Sequence, residues 1–144
     1  MQKNFILLFF VAFLATTGAA AQLIDTNCVT NRPVFYYAEK GAHFTGSLDK
    51  YFAKTLPDKG KRQDGAFKIK LIIDSAGKLD CLTIEYNTTS YTPEEIRGCI
   101  GGMPEWLPAT QNGYAITFCA MIEVTVNKGK QTVSYLNERP HKPK

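Results

Sequence analysis

The chain has a single tryptophan and two histidines in 144 residues, and no pair of cysteines in C-x-x-C spacing. Both histidines, His43 and His141, lie far in sequence from any cysteine, so zinc-finger and dithiol-redox chemistry lack their usual spacing. No apolar run reaches the roughly 20 residues of a spanning helix, and no heptad repeat points to a coiled coil. Charge of one sign is also scarce. Seventeen Lys and Arg stand against thirteen Asp and Glu, interleaved almost throughout, and the net +4 is too dispersed to form a nucleic-acid groove. The seven prolines are unclustered, so there is no proline-rich spacer. With 44% hydrophobic residues the composition is that of one ordinary globular domain.

What is present begins with a leader. Lys3 precedes an apolar run over residues 5–15, and small residues including Ala19 and Ala21 follow, which is signal-peptide grammar with cleavage expected before Gln22. The expected destination is the periplasm or the exterior; an uncleaved leader would instead tether the chain to the inner membrane. Residues 22–43 show no clean periodicity and read as an extended arm. All four cysteines, Cys28, Cys81, Cys99 and Cys119, follow the leader, and export permits disulfides. Two structural disulfides are expected, with three connectivities open.

Ser47 is placed to cap a helix running to about Leu56, with Leu48, Tyr51, Phe52 and Thr55 on one face and Pro57 and Gly60 ending it. Residues 65–74 alternate, with Phe67, Ile69, Leu71 and Ile73 on one side and Lys68 and Lys70 on the other, as in a half-buried strand. A turn at residues 74–78, with Gly77 where positive φ is needed, leads to a second strand over residues 79–87. Thr92, Pro93, Glu94 and Glu95 form a capping box opening a helix that carries Ile96, Cys99, Ile100 and Met103 on one face. A long alternating strand is expected over residues 114–126, with Ile116, Phe118, Ala120, Ile122 and Val124 on one side. A short final strand is expected over residues 131–136, followed by a basic tail over residues 137–144.

This order predicts an α+β two-layer sandwich, a small antiparallel sheet of three strands plus a possible short fourth, covered by two helices. A right-handed crossover after the second helix gives the sheet order 2, 1, 3. In that order Cys81 and Cys119 share a face but lie about 9.6 Å apart, beyond the roughly 7 Å Cα limit for a disulfide.

The segment Met103-Pro104-Glu105-Trp106-Leu107-Pro108, followed by Gln111-Asn112-Gly113, is similar to the M-P-x-W-x-P and Q-N-G motifs of the TonB C-terminal domain. Around it stand a D-x-x-G-K turn at residues 74–78, the Glu94-Glu95 helix start, and Phe44-Thr45-Gly46 where that family often has F-P-G-G. The resemblance spans residues 44–126, and the domain is expected over residues 44–136. Met103, Pro104, Trp106, Pro108, Asn112 and Gly113 carry it. The resemblance implies the periplasmic end of an energy transducer, whose third strand receives a short receptor peptide, the TonB box. Here the arm of residues 22–43 reaches at most about 75 Å fully extended, so the expected form is a stand-alone domain without the long spacer.

Candidate chemistry is sparse. His43, Ser47 and Asp49 sit too close on one helical turn to converge as a triad, and capping explains Glu94 and Glu95. Trp106 is expected to plug the core, and Asn87-Thr88-Thr89 is only a weak glycosylation sequon. No catalytic residue, cofactor or metal is assigned, and neither a small-molecule substrate nor nucleic acid is implied. What remains is a strand edge able to accept an extended peptide through its backbone. Ala115, Thr117, Cys119, Met121 and Glu123 would flank that peptide. The expectation is a non-enzymatic exported protein-binding module whose partner is an envelope protein or receptor peptide. The alternatives are a structural envelope subunit or homodimer, and residues 131–136 folding back onto the same edge.

Overall fold

The computed structural model describes Cys28, residues 30–59 and residues 64–137. The leader, residues 22–27, Gly60 and the tail beyond Asn137 lie outside the described residues. Two α-helices and six strands follow in the order α1 (Leu48–Thr55), β1 (Gly65–Ile73), β2 (Leu79–Asn87), α2 (Pro93–Gly101), β3 (Ala109–Gln111), β4 (Tyr114–Ile116), β5 (Phe118–Asn127) and β6 (Lys130–Tyr135). No helix among the described residues is long and apolar enough to cross a membrane.

The helices start where their side chains satisfy the first orphan N–H groups. Ser47 Oγ accepts from Lys50 N in α1. In α2 the Thr92 hydroxyl accepts from Glu95 N while the Glu95 carboxylate accepts from Thr92 N, a reciprocal capping box. Leu48 and Phe52 of α1, and Ile96, Cys99 and Ile100 of α2, then turn inward.

The main sheet is antiparallel, in the order β2-β1-β5-β6. The expected core order of the first three long strands is therefore found, with β6 added outside β5. Alternation sorts β1 between two faces. Phe67, Ile69, Leu71 and Ile73 lie opposite Val124, Ile122, Ala120 and Phe118 and join both helices in the main core. Lys68, Lys70 and Ile72 point to the other face, which no helix covers. There the register lines up three rows across the sheet: Tyr86, Lys68, Glu123; Thr83, Lys70, Met121; and Cys81, Ile72, Cys119.

One expected element is corrected. The alternating run over residues 114–126 is two strands, because β4 turns away to pair with β3 around the Asn112-Gly113 turn, both residues of which have positive φ. Thr117 is the joint between the two sheets. Hydrophobic alternation continues unbroken through that joint, so the change of partner leaves no periodic trace.

The Trp106 segment is fixed by close backbone packing. Trp106 N donates to Gly77 O at 2.8 Å, and a Cβ on Gly77 would lie 2.0 Å from the Trp106 carbonyl oxygen. Gly77 has φ +84, and Asp74 Oδ1 accepts from both Ala76 N and Lys78 N to shape the same turn. The turn and the tryptophan motif are thus two halves of one contact. Trp106 is 2% exposed and packs edge-on against Phe44 and Tyr135.

Candidate functional site: a self-occupied strand edge

Antiparallel pairing of β5 with β1 leaves alternate β5 residues with backbone groups directed away from β1. From residue 117 to residue 121 these outward groups belong to Thr117, Cys119 and Met121, three of the residues expected to flank a peptide. The chain itself satisfies the Thr117 carbonyl and both backbone groups of Cys119 and Met121. Phe35 N donates to Thr117 O at 3.0 Å and Cys119 N donates to Phe35 O at 2.9 Å, a parallel bridge made by a single arm residue. Asn137 Nδ2 donates to Cys119 O at 2.6 Å, Met121 N donates to Asn137 Oδ1 at 3.1 Å, and Leu136 N donates to Met121 O at 2.8 Å. Beyond that point β6 pairs with residues 122–127.

Of the two alternatives for this edge, the fold-back of residues 131–136 is the one found, with Phe35 and Asn137 closing the part that β6 leaves. Ala115 is also displaced from the expected set, because it lies in β4 opposite Thr110 of β3. Glu123 is paired with Ser134 of β6, and its carboxylate accepts from the Tyr86 hydroxyl on the uncovered face. Sequence reasoning missed Phe35 and Asn137, the residues that fill the edge. Asn137 is 6% exposed and spends its carboxamide on three backbone partners, the third being Tyr36 O at 2.8 Å. A lone Asn after the last alternating strand carries no periodic signal of that role.

The arm is clasped further along by backbone pairs. Lys40 exchanges hydrogen bonds with Thr110, and His43 exchanges them with Leu107. Glu39 completes the clasp at the Gln111-Asn112 turn: its N–H donates to Gln111 Oε1, and its carboxylate accepts from Asn112 N, each at 3.0 Å.

At its start the arm is held covalently. Cys28 and Cys81 form a disulfide with a Cα separation of 5.4 Å. The expected second disulfide is not formed. Cys99 and Cys119 are free thiols, and they cannot meet because Cys99 faces the helix-covered core while Cys119 faces the opposite side of the sheet. Cys99 sits against the Thr55 hydroxyl at 2.8 Å. Burial pushes the Cys119 thiol up to about 11 and raises that of Cys99 as well.

The remaining polar candidates have structural partners. Ser47 caps α1, the Asp49 carboxylate accepts from Val133 N at 2.7 Å, and the His43 ring stacks edge-on with Tyr135 at 5.8 Å between centroids. Val133 is on β6, so Asp49 also covers part of the sheet's outer edge. The Asn87 carboxamide donates to Tyr91 O and accepts from Thr89, closing the loop before α2. Among the described residues no group of three His, Cys, Asp or Glu is placed to hold a metal ion.

Beside the row of Cys81, Ile72 and Cys119, the uncovered face is polar. Glu85 bridges Lys68, at 2.7 Å, and Lys70, and both lysines hold its carboxyl below the usual range. Tyr36 and Tyr86 stand 48% and 40% exposed beside this network. No family model, no curated protein and no solved structure matches the chain.

Proposed function

We propose that this chain is a non-enzymatic, exported protein-binding module of TonB C-terminal-like architecture, and that it takes an extended peptide of an envelope protein on β5 by strand replacement. The observation that carries this reading is the character of the closure over residues 117–121. One arm residue and one side-chain amide, beside the Leu136 N–H, do the work of a strand there. A continuous peptide backbone offers the same donors and acceptors in register, and strand addition tolerates side-chain variety. The tryptophan motif, the D-x-x-G-K turn and the Q-N-G turn support the family likeness.

The test uses synthetic peptides of the TonB box type and fluorescence anisotropy. Asn137→Ala weakens the internal occupant and is expected to tighten binding several-fold. Met121→Pro removes the N–H that points to the edge and is expected to abolish binding, with circular dichroism confirming that the sheet persists. Equal affinity for wild type and both folded variants would sink the proposal.

A second reading, a structural envelope subunit without an energy-transducing role, draws on Tyr36 and Tyr86 at the uncovered face. It expects association with the envelope to be lost in Tyr36→Ala/Tyr86→Ala and retained in Met121→Pro.

A further inference from the structure

Cys119 is completely buried, yet its cover is thin. On the uncovered face it joins Ile72 and Cys81 in a small apolar cluster, roofed by Cys28, Val34 and Met121. Two of those three belong to the arm, where it crosses from β2 to the far side of β5. This strap is fastened at one end by the Cys28–Cys81 disulfide and at the other by the Phe35 bridge. Between the fastenings, among the described residues, no backbone hydrogen bond joins residues 30–34 to the sheet. Among the described residues, the hydrogen bond in that stretch runs within the strap, from the Thr30 hydroxyl to Arg32 O. The covalent link thus holds the Cys28 end of the roof over Cys119, and the Phe35 bridge holds the Val34 end.

We propose that the Cys28–Cys81 disulfide is a redox latch: its reduction by an exported dithiol protein frees Cys28 and loosens residues 30–34, and turns Cys119 from an inert thiol into an accessible, modifiable one. Cys28 is partly exposed while Cys81 is buried, so the incoming thiolate attacks Cys28 Sγ and Cys81 leaves as a thiolate. The mixed disulfide on Cys28 is then resolved by the second thiol of the reductant. Two electrons pass to the cystine, Cys28 and Cys81 each end with a proton on sulfur, and the reductant departs as its own disulfide. In the latched state Cys119 neither attacks nor is attacked, since burial keeps it protonated and screened. Release of the strap also slackens Phe35, the residue after Val34, and so opens the β5 edge. This last step rests on the strand-replacement reading; the unmasking of Cys119 does not.

The molecule contains its own reference. Cys99 is also a buried free thiol but lies in the helix-covered core, which the strap does not touch. Native full-length protein is pulsed with iodoacetamide, oxidised or after treatment with a phosphine reductant, and each cysteine is read by peptide mass. The expected result is a rise of at least about tenfold in Cys119 labelling on reduction, with Cys99 unchanged. Cys28→Ser, which opens the latch without reductant, should reproduce the rise. The latch is refuted if Cys119 stays as slow as Cys99 in both samples, or if the two rise together, which is general loosening. Unmasked Cys119 with unaltered TonB box peptide affinity would uphold the latch and count against strand replacement.

Discussion

Asn137 lies against Met121 as a neighbouring strand would, accepting the Met121 N–H at 3.1 Å while donating to Cys119 O at 2.6 Å. A carboxamide has the donor and acceptor of a peptide unit and so completes the ladder after β6 has ended. Asn137→Ala leaves buried backbone groups of Cys119, Met121 and Tyr36 without these partners. The expected loss is about 1–3 kcal/mol, measured by urea denaturation. Asn137→Asp keeps the acceptor but lacks the donors, and it should fall at least as far because a carboxylate would be buried against two carbonyls. Equal stability for all three proteins would mean that water replaces the carboxamide at no cost.

Gly77→Ala should be among the most damaging single changes in the chain. The added Cβ would lie 2.0 Å from the Trp106 carbonyl oxygen, on a residue with φ +84. Backbone strain and a backbone clash combine, and the expected cost is about 3 kcal/mol or more. Gly113→Ala is the comparison: its φ is +79 with open space around it, so only the conformational cost of about 1 kcal/mol applies. The lone tryptophan's fluorescence reports both transitions, since it sits in the contact that Gly77 makes. Similar midpoints for the two variants would show that the Trp106 backbone yields.

Acid sensitivity should come in part from Glu85 and Glu95. Hydrogen bonds from Lys68 and Lys70 lower the Glu85 carboxyl, and those from Lys59 and Thr92 lower Glu95, each from an ordinary value of 4.5. A lowered folded-state value contributes stability above the unfolded value and loses it as pH falls through the folded one. Melting temperature should therefore drop as pH goes below 4.5, and Glu85→Gln should flatten that drop while lowering the neutral-pH plateau. An unchanged acid limb in Glu85→Gln would assign the sensitivity elsewhere.

The sequence reveals features whose cause is local. Ser47, the capping box at Thr92 and the glycine turn at residues 74–78 each mark an element boundary through a nearby hydrogen bond or φ requirement, and the structure places these boundaries within a residue of expectation. Alternation in β1 correctly separates Ile69 from Lys70, and the strand order correctly keeps Cys81 from Cys119. What was hidden depends on long-range pairing. Phe35 meets Thr117, Asn137 meets Cys119, and Cys28 meets Cys81 across 53 residues. None of these has a spacing that periodicity can read. The candidate edge was accordingly legible as a strand, and the fold-back of residues 131–136 as one alternative for it, while the parts played by Phe35 and Asn137 were not.

Tyr51 fixes α1 to the end of α2 by donating its hydroxyl proton to Cys99 O at 2.8 Å, and burial, with a smaller contribution from Cys99, pushes its phenol up to about 12. An unfolded tyrosine ionises near 10, so between 10 and about 12 the unfolded chain gives up this proton before the folded one does. Folding stability must therefore fall as pH rises through that interval. The phenolate also has no proton to donate to Cys99 O, so the tie between the helices goes with it. Tyr51→Phe should cost about 1 kcal/mol at neutral pH through the lost hydrogen bond, yet show a shallower alkaline decline. Thermal melts from pH 8 to pH 11.5 would read both effects, and parallel alkaline limbs in wild type and Tyr51→Phe would move the cause to the other buried titrating groups, Tyr91 and Cys119.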